Sequence, residues 1–283
     1  MTDRTLLITG ATGKQGGATI RSLHGSDFRL RAMTRKPESA AARELTNRGI
    51  EVVEGDLDDE ESLKRALDGV WGVYAVQNTW EAGVEQEETQ GHRLARLAHA
   101  GGVVHYVYAS VGSAHRKTGI PHFDNKFRVE KTVQSLGFPT TVVIRPVFFM
   151  ENLTSPWVLK GDALYAAMKP RWVLQMIAVE DIGKYGALAF TDPRLKGRAI
   201  DIAGDAATMP EAARVMGHVL GRPISFVEVP IEEVRKSSED MAIMYEWFGS
   251  TGYDVDIQAL EGEFGIKPTT FEEWALKLRK DPV

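Results

Sequence analysis

Short apolar runs alternate with longer amphipathic segments through the first half of the chain. The apolar runs have the length of strands and cover residues 5–9, 29–33, 51–54, 70–76, 104–109 and 141–144. Between them, apolar positions recur with helical spacing at residues 14–23, 39–47, 60–67, 84–100 and 126–136. Because strands that are apolar on both faces are typical of a parallel sheet with helices on each side, the pattern predicts a doubly wound α/β fold.

The alternation weakens after Pro146, where prolines and tryptophans interrupt the pattern. Beyond this point the sequence predicts an apolar strand at residues 174–179, a helix at 181–190, a strand at 198–202, and helices at 211–220, 231–248 and 271–278. We expect residues 1–150 to form one domain, to which the chain returns at about 177–204. Residues 151–176 and 205–283 are expected to form a smaller, discontinuous α/β domain.

The composition narrows the possible chemistry. The 283 residues carry a net charge of −5 and no cysteine, so any redox role would require a cofactor. The seven histidines show no spacing typical of metal ligands, and we predict neither a metal site nor direct binding of nucleic acid. Since the sequence has no long apolar stretch and no leader-like start, we expect a cytoplasmic protein without membrane contact.

A glycine-rich turn joins the first predicted strand to the first predicted helix. Glycines recur at every third position with polar side chains between them, as Gly10, Gly13 and Gly16 with Thr12, Lys14 and Gln15. Such glycines allow a tight turn and let backbone amides approach a pyrophosphate, while the helix N-terminus adds positive potential. The turn therefore predicts that the first domain is a dinucleotide-binding Rossmann domain.

The residues after the second predicted strand indicate which dinucleotide is bound. NAD-binding proteins usually have an acidic residue there, which accepts hydrogen bonds from the ribose hydroxyls. This chain has Arg35 and Lys36 instead. A guanidinium can make charge-assisted hydrogen bonds to a 2′-phosphate, so the sequence favours NADP(H) over NAD(H), with Arg35 as the ligand. The alternative is that both cations are simply solvated.

Candidate ligands also follow the third and fourth predicted strands. Asp56 could accept a hydrogen bond from an adenine amino group, with Leu57 near the ring. The alternative is that Asp56 caps a helix, a role that Asp58 and Asp59 fit at least as well. Gln77 and Asn78 lie where the fourth strand ends, at the carboxyl edge of the sheet at which doubly wound folds bind their ligands. We predict that Asp56, Leu57, Gln77 and Asn78 border the cofactor.

Taken together, these motifs resemble the NmrA-like family of atypical short-chain dehydrogenases/reductases, which includes NADPH-sensing members. The similarity extends over nearly the whole chain, at residues 9–17, 34–37, 54–59, 80–81, 122–126, 145–153, 179–183 and 271–274. The resemblance implies a Rossmann fold that binds a dinucleotide, with Lys126, Pro146 and Phe148 among the residues that contact the cofactor.

The chain departs from the usual short-chain reductases at the catalytic position. Those enzymes carry Tyr-x-x-x-Lys after the fifth strand, and the tyrosine donates a proton. The matching segment here has His122 and Lys126. A literal Tyr-x-x-x-Lys at Tyr165 and Lys169 lies in the irregular region, and we interpret it as a chance match.

Three interpretations of His122 and Lys126 stay open. In the first, which we favour, Lys126 binds the nicotinamide ribose and His122 only packs or caps, so that the protein senses the NADPH/NADP⁺ ratio and acts through a protein partner. In the second, His122 or Lys126 donates a proton during hydride transfer to a quinone, enone or similar small acceptor. In the third, His122 is a surface residue without a role. The sequence allows a homodimer in each case.

Overall fold

The computed structural model describes residues 4–279; residues 1–3 and 280–283, the outer ends of the two expected domains, lie outside the described residues. The strands are β1 (Thr5–Ile8), β2 (Arg29–Thr34), β3 (Glu51–Glu54), β4 (Val70–Ala75), β5 (His105–Ala109), β6 (Thr140–Pro146), β7 (Phe148–Phe149), β8 (Leu159–Lys160), β9 (Ala163–Ala166), β10 (Val173–Ile177), β11 (Ala199–Ile202), β12 (Asp205–Thr208) and β13 (Ser225–Glu228). The α-helices are α1 (Lys14–Leu23), α2 (Ala40–Asn47), α3 (Glu60–Leu67), α4 (Thr79–Ala82), α5 (Val84–Ala100), α6 (Pro121–Ser135), α7 (Val179–Thr191), α8 (Met209–Leu220), α9 (Ile231–Ser237), α10 (Glu239–Ser250), α11 (Ile257–Phe264) and α12 (Phe271–Lys277).

Seven strands form the central sheet, in the order β11-β6-β5-β4-β1-β2-β3. Every pairing between these neighbours is parallel. The strand order reverses at β1, which lies between β2 and β4, and the carboxyl ends of β1 and β4 therefore meet at the switch point where doubly wound folds bind ligands. The predicted doubly wound fold is confirmed.

Helices cover both faces of this sheet. Leu6 and Ile8 of β1 belong to an apolar cluster that includes residues of α1 and α7. Leu7, between them, belongs to a second cluster with residues of α3, α5 and α6. Successive side chains of a strand point to opposite faces, and burial of both faces explains why these strands are apolar at nearly every position.

The chain beyond β6 builds two small sheets and then rejoins the central one. Strand β10 pairs with β7 and β12, and β9 pairs with β8 and β13. Strand β11, predicted at residues 198–202, lies beside β6 in the central sheet. A third apolar cluster joins Phe123 of α6 to Met216 of α8, Trp247 of α10 and Trp274 of α12. No helix within residues 4–279 combines the length and the apolar character needed to cross a bilayer.

Two predicted helices differ from the structure by more than two residues at an end or are interrupted. The helix predicted at residues 126–136 begins at Pro121, since proline is favoured in a first turn, where its missing N–H costs nothing. His122 and Lys126 therefore lie one turn apart on α6.

The helix predicted at residues 231–248 is broken at Ser238, which has an extended backbone. Its hydroxyl accepts from the Met241 N–H at 3.2 Å and caps a new helix, α10.

Candidate functional site

The turn between β1 and α1 is shaped by close backbone contacts. Gly10 has a φ of +56°, in the left-handed region that favours glycine. A Cβ on Gly16 would lie 2.4 Å from the Gly10 carbonyl oxygen, so helix α1 begins directly against the turn. Within the described chain, the N-cap residue Gly13 offers no side-chain hydrogen bond, and the first turn of α1 has no acidic residue. The Gly13 N–H donates to the Gly10 carbonyl oxygen at 2.9 Å, so the first-turn amides of Lys14, Gln15 and Gly16 and the positive end of the helix are left for an anion.

The end of β4 packs against this turn. The Thr9 hydroxyl accepts from the Val76 N–H at 2.8 Å and donates to the Val76 carbonyl oxygen at 2.9 Å. Gln77 follows, is 5% exposed, and has no hydrogen-bond partner for either amide atom among the described residues. Because an unsatisfied buried amide costs free energy, Gln77 fits a position where a polar group of a ligand supplies the missing partners.

Arg35 lies beside the segment that follows β4. Its Nη2 donates to Oε2 of Glu81 at 2.5 Å, and both side chains are more than half exposed. Oε1 of Glu81 accepts from Nδ2 of Asn78 at 3.2 Å. Oδ1 of Asn78 in turn accepts from the Trp80 N–H and caps α4. The structure therefore brings Arg35 and Asn78 together through the carboxylate of Glu81, which was not among the predicted site residues.

The loop after β3 is held by hydrogen bonds around Asp56 and Leu57. Oδ1 of Asp56 accepts from the Asp58 N–H at 2.9 Å, which forms a local turn. The residue that caps α3 is Asp59 and not Asp56, because Asp59 accepts from the helix amide of Glu61. The Leu57 carbonyl accepts from Nη1 of Arg93 at 2.7 Å. The capping alternative for Asp56 is wrong, and its role toward adenine stays a prediction.

Lys126 pairs with a buried carboxylate. Its Nζ donates to Oε1 of Glu87 at 2.7 Å, and the exposed fractions of the two side chains are 11% and 1%. Oε2 of Glu87 accepts from Nδ2 of Asn125 at 2.8 Å and from the Thr79 hydroxyl. Burial alone would raise the pKa of Glu87, but the Lys126 ammonium and the hydrogen bonds from Lys126, Thr79 and Asn125 hold it below its ordinary value. Glu87 is therefore a carboxylate that fixes the Lys126 ammonium.

His122 is a buried residue with a carboxylate partner. Only 7% of its surface is exposed, so the interpretation of His122 as a surface residue is wrong. Its Nδ1 is hydrogen-bonded to Oδ1 of Asp240, and its backbone N–H donates to Oδ2 of the same side chain at 3.1 Å. The ring lies 5.2 Å from the exposed ring of Trp80 and contacts Phe123 edge-on. A carboxylate on Nδ1 holds the imidazole in a fixed orientation and leaves Nε2 outside that contact.

Pro146 and Phe148 lie at and beyond the end of β6. The Pro146 carbonyl accepts from the Gly112 N–H at 2.8 Å. Phe148 belongs to β7, and its ring packs edge-to-face on Phe248 with 6.2 Å between centroids. Phe148 thus packs on the third apolar cluster, and its contact with a cofactor stays a prediction.

Three carboxylates missed by the sequence analysis each pair with a predicted site residue. Glu81, Glu87 and Asp240 bind Arg35, Lys126 and His122 across 46, 39 and 118 residues of sequence. Pairings over such separations leave no local signal. Glu87 leaves a trace, because it occupies the inner face of α5 with Gly91 and Leu94 at helical spacing. Glu81 lies in the segment 80–81 that resembles the family, but nothing in the sequence links it to Arg35.

Comparison with known proteins identifies the family. The NmrA-like family matches residues 2–275. The chain belongs to this family. The resemblance predicted from the sequence motifs is thus confirmed. This NmrA-like chain is 32% identical over 243 residues to the (4-alkanoyl-5-oxo-2,5-dihydrofuran-3-yl)methyl phosphate reductase of Streptomyces griseus. The alignment covers 81% of this chain and 79% of that protein.

Solved structures share the NmrA-like fold. The NADPH-dependent quinone oxidoreductase QOR2 of Escherichia coli has a TM-score of 0.80 at 24% identity, over 97% of this chain and 99% of its own. NmrA, a negative transcriptional regulator solved in complex with NADP, has a TM-score of 0.81 at 19% identity, over 100% of this chain and 99% of its own. A complex of NmrA with NAD has the same TM-score at 18% identity, over 98% and 96% of the two chains. At these identities the likeness concerns the fold.

Proposed function

We propose that this NmrA-like protein is an NADPH-dependent reductase of a small conjugated carbonyl compound, such as an enone or a quinone. The observation that carries the proposal is the His122–Asp240 pair, a buried imidazole held by a carboxylate. It occupies the position at which the family resemblance matches the proton-donating tyrosine of the usual short-chain reductases. The 32%-identical Streptomyces relative is a reductase whose named substrate contains an oxo-dihydrofuran ring, and this supports the same reaction class.

The residues at the switch point fit a nicotinamide dinucleotide. The first-turn amides of Lys14, Gln15 and Gly16 would hold the pyrophosphate, and the guanidinium of Arg35 would hold a 2′-phosphate. Gln77 would satisfy its buried amide on the ligand. Lys126 would bind the nicotinamide ribose, because an ammonium has three donors and the bond to Glu87 uses one. NADPH, when bound, supplies a hydride ion.

The role of His122 follows from what reduction requires. An enone or a quinone that accepts a hydride, and with it two electrons, must also gain a proton. Asp240 accepts from Nδ1–H and stabilises the imidazolium, so Nε2–H can release its proton to the acceptor, and solvent then restores it. Lys126 orients the ribose and stays paired with Glu87 through the reaction.

We further propose that residues 151–176 and 205–283 form the part of the molecule that binds the acceptor. Helix α10 in this part carries Asp240, and Trp247 of the same helix packs edge-on against Phe123, the neighbour of His122, with 5.9 Å between ring centroids. An acceptor held by this part would therefore lie near the imidazole.

The proposal is tested by NADPH oxidation with a panel of enones and quinones. We expect turnover with at least one acceptor and a loss of about 10²-fold in kcat for His122→Asn, because general acid catalysis contributes at least that much. His24→Asn, which removes an exposed histidine at the end of α1, is the matched control and should keep full activity. A silent panel, or unchanged turnover in His122→Asn, would refute the proposal.

A second candidate function is a regulatory dinucleotide binder that acts through a protein partner. One observation favours it: no tyrosine stands one turn before the lysine of the family motif, Lys126, where the usual short-chain reductases carry their proton donor. A protein of this kind binds NADPH and NADP⁺ with different affinities in two conformations. Tight NADPH binding together with a silent acceptor panel would support this function.

A further inference from the structure

We propose that Glu81 sets the choice between NADPH and NADH by competing with the 2′-phosphate for Arg35. This inference rests on the dinucleotide binding proposed above and adds a specificity-determining residue to it. The sequence after β2 lacks the acid typical of NAD-binding proteins. The structure brings a carboxylate to the Arg35 guanidinium from the segment after β4, the strand on the opposite side of β1 from β2.

The Glu81 carboxylate is held at both oxygens. Oε2 accepts from Arg35 at 2.5 Å, and Oε1 accepts from the Asn78 amide at 3.2 Å. Asn78 also caps α4, the single turn on which Glu81 stands. The carboxylate is thus positioned by its own helix turn as well as by the guanidinium. It contacts Arg35, the residue that is predicted to bind the 2′-phosphate.

The two nucleotides place opposite demands on this pair. A 2′-phosphate needs the guanidinium that Glu81 occupies, and its negative charge is repelled by the carboxylate. A 2′-hydroxyl carries no charge and can donate a hydrogen bond to a carboxylate. Glu81 therefore disfavours NADPH and favours NADH, whereas Arg35 does the opposite.

The exposure of the pair limits the size of the effect. Arg35 and Glu81 are 61% and 57% exposed, and exposed ion pairs are weak, so a phosphate can displace the carboxylate. The phosphate carries up to two charges and accepts the planar guanidinium with two parallel bonds. We expect the wild-type protein to bind NADPH, but less tightly than a variant without the Glu81 charge.

Calorimetric titration of the full chain with NADPH and NADH tests this inference. In Glu81→Gln we expect NADPH affinity to rise about two- to fivefold, the range that the strength of exposed ion pairs allows, while NADH affinity stays equal or falls. The amide oxygen of glutamine keeps the contact with Asn78, so α4 is expected to stay intact. In an Arg35→Ala background, at least half of the gain should disappear, because the competition for the guanidinium is gone.

Glu85→Gln is the matched control. Glu85 is an exposed acid in the first turn of α5, close in sequence to Glu81, and its substitution makes the same change in net charge. If Glu81→Gln and Glu85→Gln leave the same ratio of NADPH to NADH affinity as the wild type, Glu81 has no such role. If neither nucleotide binds any variant, the dinucleotide proposal itself fails, which is a different result. The NADPH-induced rise in Tm provides a second readout that does not depend on turnover.

Discussion

The carboxylate of Asp240 binds both the imidazole and the backbone N–H of His122, which lies 118 residues earlier in the chain. The backbone bond satisfies an amide in the first turn of α6, where helices lack internal partners. The ring bond fixes the imidazole on the same helix. One side chain therefore both stabilises the start of α6 and orients the proposed proton donor.

Substitution of Asp240 separates these two roles. We expect Asp240→Asn to lower kcat by about tenfold or more and to leave NADPH affinity within about twofold, because an amide can keep the backbone contact but cannot stabilise an imidazolium. In a His122→Asn background, Asp240→Asn should lower kcat little further. Asp254→Asn, which removes an exposed partner of Arg116, is the control. A fall in Tm with unchanged kcat would mean that Asp240 acts only as a cap.

The Lys126–Glu87 pair predicts a characteristic pattern of stability. Removal of one partner leaves the other charge buried, so Lys126→Met and Glu87→Gln should each lower the free energy of unfolding by about 3 kcal/mol. The double variant should recover a large part of that loss. Urea denaturation of the three variants measures the coupling. Additive losses would show that the two side chains do not depend on each other.

Local sequence signals were sufficient for most of the central sheet. Helices α1, α3 and α5 have the limits predicted from sequence, because glycines or capping residues such as Gly13, Asp59 and Gly83 mark where they begin. The start of α6 was missed for a physical reason. This helix buries His122, Asn125 and Glu130 as well as apolar residues, so its hydrophobic periodicity is weak.

The candidate site was predicted only in part. The positions of Arg35 and Gln77 follow from the order of strands, since ligand-binding residues gather at the carboxyl ends of parallel strands. Lys126, on α6, was identified only through the family resemblance. Their carboxylate partners come from other elements and depend on how the chain packs. The break at Ser238, which starts α10 and places Asp240 in its first turn, illustrates this dependence.

The glycine turn predicts a sharp difference between two neighbouring residues. A Cβ on Gly16 would lie 2.4 Å and 2.5 Å from the carbonyl oxygens of Gly10 and Thr9, and backbone at that distance has little room to move. A Cβ on Gly17 would have its closest contact at 3.3 Å, with the Ala11 carbonyl oxygen. We expect Gly16→Ala to lose at least about tenfold in NADPH affinity, since a shift of α1 moves the amides proposed to bind the pyrophosphate. Gly17→Ala should stay within about threefold; equal effects in calorimetry would contradict this account.

The last prediction concerns the dependence of stability on pH. His105 lies at the start of β5 and is 8% exposed. Burial lowers its pKa to about 4, with smaller contributions from the positive charges of Arg4 and Lys196. A hydrogen bond to the backbone of Ala189 acts in the opposite direction but does not offset the effect of burial. In the unfolded chain a histidine has a pKa near 6.5. Between about pH 4 and pH 6.5 the unfolded chain therefore binds this proton more readily than the folded protein does. The stability that the neutral ring contributes is therefore complete above about pH 6.5 and is lost as the pH falls toward 4, by up to about 3 kcal/mol.

A variant without the titrating ring tests the assignment to His105. In urea denaturation at pH 7, 6 and 5, His105→Phe should lose less stability on acidification than the wild type, whatever its stability at pH 7. His24→Asn removes an exposed histidine and should keep the slope of the wild type. Since the comparison concerns slopes, a packing defect in the phenylalanine variant does not affect it. Parallel curves for His105→Phe and the wild type would show that His105 is not the group responsible.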